Sequence, residues 1–404
     1  MKLSGDDAGR ARLHEGTLIS LLRRTLGEQP PISWQLRLPS GSTVRFGAQE
    51  PAFAVAIRDD AGMAALRSLD ELRLCEAYME RHLDLDGDLR AVVALRSHLT
   101  DASRWIGLWR RLEPLLVGRT RARARWVQHH YDADDIQLAF VEQSYNAYTP
   151  GVFEHDDEPL EDATERKLRL AFEGLGLRAG DRLLDVGFGW GPFVRYAGRR
   201  GVHVTGLTLS RQQLAFVQRA VVDAERLPVR LLLEDFFAHR PAAPYDAITV
   251  CGAIEELADY RGVMARLAAW LVPGGRAYFD FLSARADFVL PAFVSKHVFR
   301  GGTSRVYLPR LIEAVISSPL ELCSLLDDRR NYQRTSRHWY ERLEERRDAI
   351  RSRHGEHAYR LFRLYLAGTE AMLADPSYFA GAYRMLLELP ADGAAAAERH
   401  AAPS

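Results

Sequence analysis

Hydrophobic positions along the middle of this chain recur alternately at strand and at helix spacing. From residue 165 the pattern predicts helix 165–175, strand 182–186, helix 191–199, strand 202–207 and helix 211–222. It continues with strand 228–233, strand 246–250, helix 260–270 and strand 276–282. Strands alternating with helices imply an α/β domain with a mostly parallel sheet and right-handed crossovers. Upstream the pattern differs. Residues 1–30 read as a short helix. Trp34, Leu36 and Leu38 alternate with polar residues, Pro39-Ser40-Gly41-Ser42 is a turn signal, and Thr43-Val44-Arg45-Phe46 resumes alternation, which predicts a hairpin. Residues 63–100 carry helical spacing broken by an acidic loop at 84–88, and residues 285–400 return to helical periodicity. The expected organisation is a small N-terminal α+β domain over 1–105, a basic helical linker over 106–128, a main domain over 129–390 and a flexible tail over 391–404.

Composition narrows the class. A chain of 404 residues is too long for one ordinary core. Its 54 basic and 54 acidic residues cancel, so no global field points to nucleic acid. Cys75, Cys251 and Cys323 lie far apart with no metal-ligand spacing, so neither a metal site nor a disulfide framework is expected, and a reduced cytosolic compartment fits. No signal-peptide core opens the chain, and no run of 18 apolar residues occurs in it. Any lipid substrate is therefore expected to be met at a membrane surface. The arginine-rich, tryptophan-flanked segment 105–126 reads either as a solvated linker or as a surface for anionic headgroups.

The sharpest local signal is Leu183-Leu184-Asp185-Val186-Gly187-Phe188-Gly189-Trp190-Gly191. An apolar strand ends in Gly187, Gly189 and Gly191, which permit a tight turn and let a ligand approach the backbone. Such a loop serves methyltransferases and dinucleotide enzymes alike. Asp185 favours the first, because a carboxylate there suits an ammonium group and disfavours a pyrophosphate. The second strand runs into Thr208-Leu209-Ser210-Arg211-Gln212-Gln213. No acid is present there for ribose hydroxyls, but Thr208 and Gln213 are candidates, while Ser210 suits a helix N-cap. Asp235 and Phe236, after the third strand, suit an adenine amino group and its ring. Phe236 reads equally as core.

Taken together, these residues resemble the cyclopropane-fatty-acyl-phospholipid synthases and mycolic acid methyltransferases. The likeness is carried by Tyr131-Asp132, Phe153-Glu154-His155, the glycine loop, Val204 to Gln213, Tyr332-Gln333-Arg334-Thr335 and Trp339-Tyr340-Glu341, and it runs from about 128 to 385. It implies a class I Rossmann-like fold with a mostly parallel seven-stranded sheet and helical lipid-binding additions. It implies S-adenosylmethionine as cofactor, held by Tyr148, Thr149 and Leu209 as well as by the residues above. It also implies transfer of a methyl carbon to the double bond of an unsaturated acyl phospholipid. In most members a bicarbonate, held by a cysteine, a glutamate, a histidine and a tyrosine, removes the proton that lets the ring close. Here the cysteine position is Pro150 and the histidine position is Asp280, while Glu255 and Tyr332 are kept. Two carboxylates beside a bicarbonate would repel it in a buried site. No bicarbonate is therefore expected in the family manner. Asp280 or Glu255 is expected to act as the base, alone or sharing a proton, with a methyl- or methylene-branched product open beside the ring. The resemblance further implies a homodimer at the inner face of the membrane, in transient contact with it. Two other readings stay open: a same-fold methyltransferase of a small unsaturated metabolite, and a binder of lipid or cofactor that regulates a partner.

Overall fold

The structure is a computed structural model that describes residues 5–100, 135–284, 291–298, 306–375 and 380–391. The expected basic linker and nearly all of the expected tail lie outside these residues. The chain divides into two compact units. The first comprises residues 1–118, 289–300 and 343–371, and the second 119–288, 301–342 and 372–404.

The first unit is built on a four-stranded sheet in the order β2-β1-β3-β4, with β1 Trp34–Arg37, β2 Thr43–Phe46, β3 Phe53–Ile57 and β4 Leu83–Gly87. The expected hairpin is β1 and β2, paired antiparallel with Trp34 opposite Phe46. Trp34 stacks on Phe46 and on Phe53 at 4.4 and 5.8 Å between ring centres. Helix α1 (Gly5–Leu26) sends Leu18, Leu22 and Leu26 into the same core, and α2 (Asp60–Ser68) and α3 (Glu71–Met79) follow with Asp59 and Asp70 as N-caps. The segment expected as an acidic loop at 84–88 is instead largely strand β4. Asp84 and Asp86 alternate with Leu83 and Leu85, the period of two that a half-buried strand needs.

Nor is the first unit the contiguous stretch 1–105. Residues 343–371 join it, because a long helix, Arg347–Ala374 with a break at Gly355, brings two buried arginines to the open edge of β4. Arg360 donates to the carbonyls of Tyr78 and Leu83 at 2.8 and 3.0 Å and pairs with Asp84. Arg363 donates to the carbonyls of Leu85 and Gly87 at 3.2 and 2.9 Å. The guanidinium groups thus satisfy an edge that would otherwise expose a row of unpaired carbonyls. Lys296 and His297 are both bonded to Glu76, at 2.6 and 2.8 Å.

The second unit is a mixed sheet in the order β11-β12-β9-β8-β5-β6-β7, with a two-residue strand, β10 Val306–Tyr307, beside β9. Strands β5 (Arg182–Val186), β6 (His203–Thr208), β7 (Val229–Leu233), β8 (Tyr245–Cys251) and β9 (Leu271–Ala284) pair parallel. Strands β11 (Glu321–Asp327) and β12 (Ala380–Glu388) add the antiparallel edge, where helix was expected. An apolar run as short as that of β12 does not distinguish a buried strand from a buried helix by periodicity. Successive residues of β5 face opposite cores: Leu184 and Val186 pack with Ile248, Val250 and Phe279, whereas Leu183 packs with Val194, Val204 and Ala247. Burial on both faces is the condition of a parallel sheet. No described helix is long and apolar enough to cross a membrane.

Candidate functional site

The carboxyl ends of β5, β6, β7 and β8 open on one cavity of about 140 Å³. The glycine loop is its floor, and three different constraints shape it. Gly187, Gly189 and Gly191 all have positive φ, at 72°, 55° and 86°. A Cβ at Gly187 would meet the Ala253 methyl at 2.7 Å, and one at Gly191 would meet Val217 at 2.8 Å. A Cβ at Gly189 would meet nothing within 4 Å, so it would enter the space that the loop borders. Gly191 is not part of the cavity wall; it starts the helix Pro192–Gly198, with proline in the first turn.

Of the residues expected at a cofactor, Tyr148, Thr149, Asp185, Gly187, Gly189, Thr208, Leu209, Gln213, Asp235 and Phe236 all line this cavity. Burial pushes the Asp185 carboxyl up to about 6, against the pull of its bond from Thr249 and of nearby Lys167. The Thr249 hydroxyl donates to it at 2.8 Å. Ser210 caps the helix Arg211–Val217 by accepting from the Gln213 amide at 3.2 Å. The Thr208 hydroxyl donates to the Gln213 side-chain oxygen at 3.0 Å, which leaves the Gln213 amide nitrogen as a donor. Phe236 serves both expected roles: it lines the cavity and packs edge-on against Trp270 at 5.0 Å. Sequence reading missed Glu256 and Gln137. Glu256 was visible only as the neighbour of Glu255. Gln137 accepts from the Trp190 indole at 2.9 Å, tying a segment without a clear motif to the glycine loop.

Glu255, Asp280 and Tyr332 do not line the cavity; Cys251, Gly252 and Glu256 stand at that end of it. The expectation of two uncompensated carboxylates is corrected by a residue that sequence reading did not single out. Lys167, on the helix Leu160–Gly174, forms a buried ion pair with Asp280, and both side chains are only 3% exposed. Lys167 also donates to the Thr149 hydroxyl. A carboxylate compensated in this way no longer supports the repulsion argument against an anion, nor a role for Asp280 as an unpaired base. Tyr332 packs edge-on to Trp339 at 6.0 Å, and Trp339 stacks on the wall residue Tyr148 at 4.9 Å.

Glu255 accepts from the Leu282 amide at 2.8 Å. Burial pushes it from the ordinary 4.5 up to about 8, with Asp280 and Glu256 adding to the shift and that amide opposing it. The folded protein therefore binds this proton more tightly than the unfolded chain. Its contribution to stability is complete below about 4.5 and is lost as pH rises through about 8. Urea unfolding between those limits is expected to show stability falling with pH, and Glu255→Gln is expected to flatten the slope. An equal slope in the variant would assign the dependence to other groups.

The cavity wall includes the carboxylates Asp185, Glu234, Asp235 and Glu256 and, among the described residues, no lysine or arginine. Such a wall fits a cationic nucleoside and repels a pyrophosphate. Comparison with known proteins gives the same direction. The family model described as mycolic acid cyclopropane synthetase matches residues 118–378, more than half of the chain, and a family described as a domain of unknown function matches residues 21–102. A "probable fatty acid methyltransferase" of Mycobacterium tuberculosis is 31% identical over 266 residues, which are 65% of this chain and 62% of that one. The chain thus spans under two thirds of that relative's length. The solved cyclopropane synthase MmaA2 from Mycobacterium tuberculosis aligns with TM-score 0.60 at 27% identity, over 66% of this chain and 98% of that one. The mycolic acid cyclopropane synthase CmaA1, solved with SAH and CTAB, aligns with TM-score 0.59 at 25% identity, over 66% and 98%. With a family model covering more than half of its length and the matching sheet already in place, this chain belongs to the mycolic acid cyclopropane synthetase family.

Proposed function

We propose that the protein is an S-adenosylmethionine-dependent C-methyltransferase that adds a one-carbon unit to the double bond of an unsaturated acyl chain, with a phospholipid as the carrier of that chain. The observation that carries this reading is the acidic wall, with no lysine or arginine among the described residues, around an open glycine loop. Asp185 and its neighbours suit the ammonium end of the nucleoside, Thr208 and Gln213 its ribose, and Asp235 with Phe236 its base. Bound S-adenosylmethionine supplies an electrophilic methyl group on a sulfonium. The fatty acid methyltransferase and the two cyclopropane synthases support a lipid acceptor. A phospholipid acceptor would require transient contact with a membrane surface.

The surroundings of the acceptor are set by this chain's own groups. An anionic wall favours positive charge that develops on a carbon skeleton near it. Glu255, with its pKa raised to about 8, holds its proton near neutrality, and Asp280 is engaged by Lys167. Neither presents a bare carboxylate in this state; Glu255, next in the chain to the wall carboxylate Glu256, would remove a proton only in its ionised form. The rate of product formation would then rise with pH.

The test is incubation with S-adenosylmethionine carrying a deuterated methyl group and a monounsaturated phospholipid, followed by mass spectrometry. Transfer of label to the acyl chain is expected. A product that keeps every deuterium lost its proton from the chain, which indicates a methyl branch. One that lost a deuterium gave it up from the new carbon, as a ring or a methylene branch requires. Binding of the nucleoside without transfer to any unsaturated lipid would overturn the lipid reading.

A further inference from the structure

Thr149 forms part of the cavity wall, and its hydroxyl oxygen accepts a hydrogen bond from the Lys167 ammonium. An ammonium has donors only, so the Thr149 proton is turned away from Lys167 and is available to another acceptor. Lys167 is 3% exposed and is held on its other side by Asp280. It is also close enough to Asp185 and Cys251 to lower the pKa of both, although burial raises each of them more strongly.

These facts meet a difficulty in the cofactor reading. The amino-acid end of a methionine-type nucleoside carries an ammonium and a carboxylate side by side. The four carboxylates of the wall suit the first and repel the second, and no described wall residue is cationic. Lys167 is a buried ammonium bonded to that wall through a side chain, one hydroxyl behind the surface.

We propose that Lys167 is the positioning residue for the carboxylate of the bound nucleoside, turning the Thr149 hydroxyl toward it and placing a positive charge behind that hydroxyl, with Asp280 anchoring the ammonium. The inference rests on the cofactor reading above and explains why a lysine is buried at this point of the helix. Asp280 then serves cofactor recognition and not proton removal.

Calorimetry with S-adenosylmethionine and with decarboxylated S-adenosylmethionine, which lacks the carboxylate, tests it on the full chain. Thr149→Val and the charge-balanced pair Lys167→Met with Asp280→Asn are expected to weaken S-adenosylmethionine roughly tenfold to a hundredfold, the range for loss of a charge-assisted hydrogen bond. Both are expected to leave the decarboxylated ligand within about threefold of the native protein. Combined in one chain, the changes are expected not to add, since they remove one contact. Equal losses for the two ligands would overturn the proposal and make Lys167 a purely structural residue. If the charge-balanced pair does not fold, Thr149→Val alone gives the same discrimination. Native protein that binds neither ligand would instead remove the cofactor reading on which the proposal rests.

Discussion

Asp280→Asn is expected to destabilise the protein by about 3–5 kcal/mol, the cost of leaving one member of a buried ion pair without its partner. The ion pair joins the middle of β9 to the helix Leu160–Gly174, and both side chains are almost wholly out of water. The asparagine would keep its shape but leave the Lys167 ammonium in a low-dielectric interior without its ion-pair partner, bonded to the Thr149 hydroxyl. Lys167→Met is expected to cost a similar amount for the reciprocal reason. The double variant is expected to lie nearer to the native protein than either single change, because it removes both charges together. Urea unfolding of the four proteins measures the coupling. Single changes within about 0.5 kcal/mol of native, the range for unremarkable surface sites, would show that the pair is not engaged in solution.

Gly189→Ala and Gly191→Ala are expected to fail in different ways, although both glycines belong to one loop. At Gly191 a methyl group would meet the buried Val217 side chain at 2.8 Å and sit on a backbone with φ of 86°. Left-handed strain of about 1–2 kcal/mol and overpacking of about 1–3 kcal/mol act together there, so the fold weakens. At Gly189 only the strain applies, and the methyl enters the space beside the loop. That variant is expected to remain folded and to bind S-adenosylmethionine at least about tenfold more weakly, since the ligand and the methyl compete for one volume. Thermal unfolding and calorimetry separate the two outcomes. Native affinity in Gly189→Ala would mean that the nucleoside does not lie against this loop.

The legible parts of the site share one property: each is announced by residues close together in the chain. The strand Arg182–Val186 and the helix Tyr260–Trp270 have the bounds that periodicity predicts. The glycine loop and the Thr208 to Gln213 turn could be read because turn chemistry and capping are local. The strands at 83–87, 321–327 and 380–388 were not legible as strands. Acidic residues hid the alternation of the first, and the other two find their partners by crossing the whole domain.

Lys167 marks the limit most clearly. It stands in a charge-rich helix between Arg166 and Arg169, so its residue type assigns it to solvent, although its spacing from Leu160, Ala163 and Ala171 places it on the buried face. It is buried because β9 presents Asp280 opposite that helix, more than a hundred residues later in the chain. Sequence alone therefore determined where the crevice at the strand ends lies and many of the residues that line it, since strand ends, glycines and caps are written within a few residues of one another. Only the tertiary structure decided the charge of the chamber behind it, because an ion pair out of water depends on which distant side chains the packed sheet and helix bring within bonding distance.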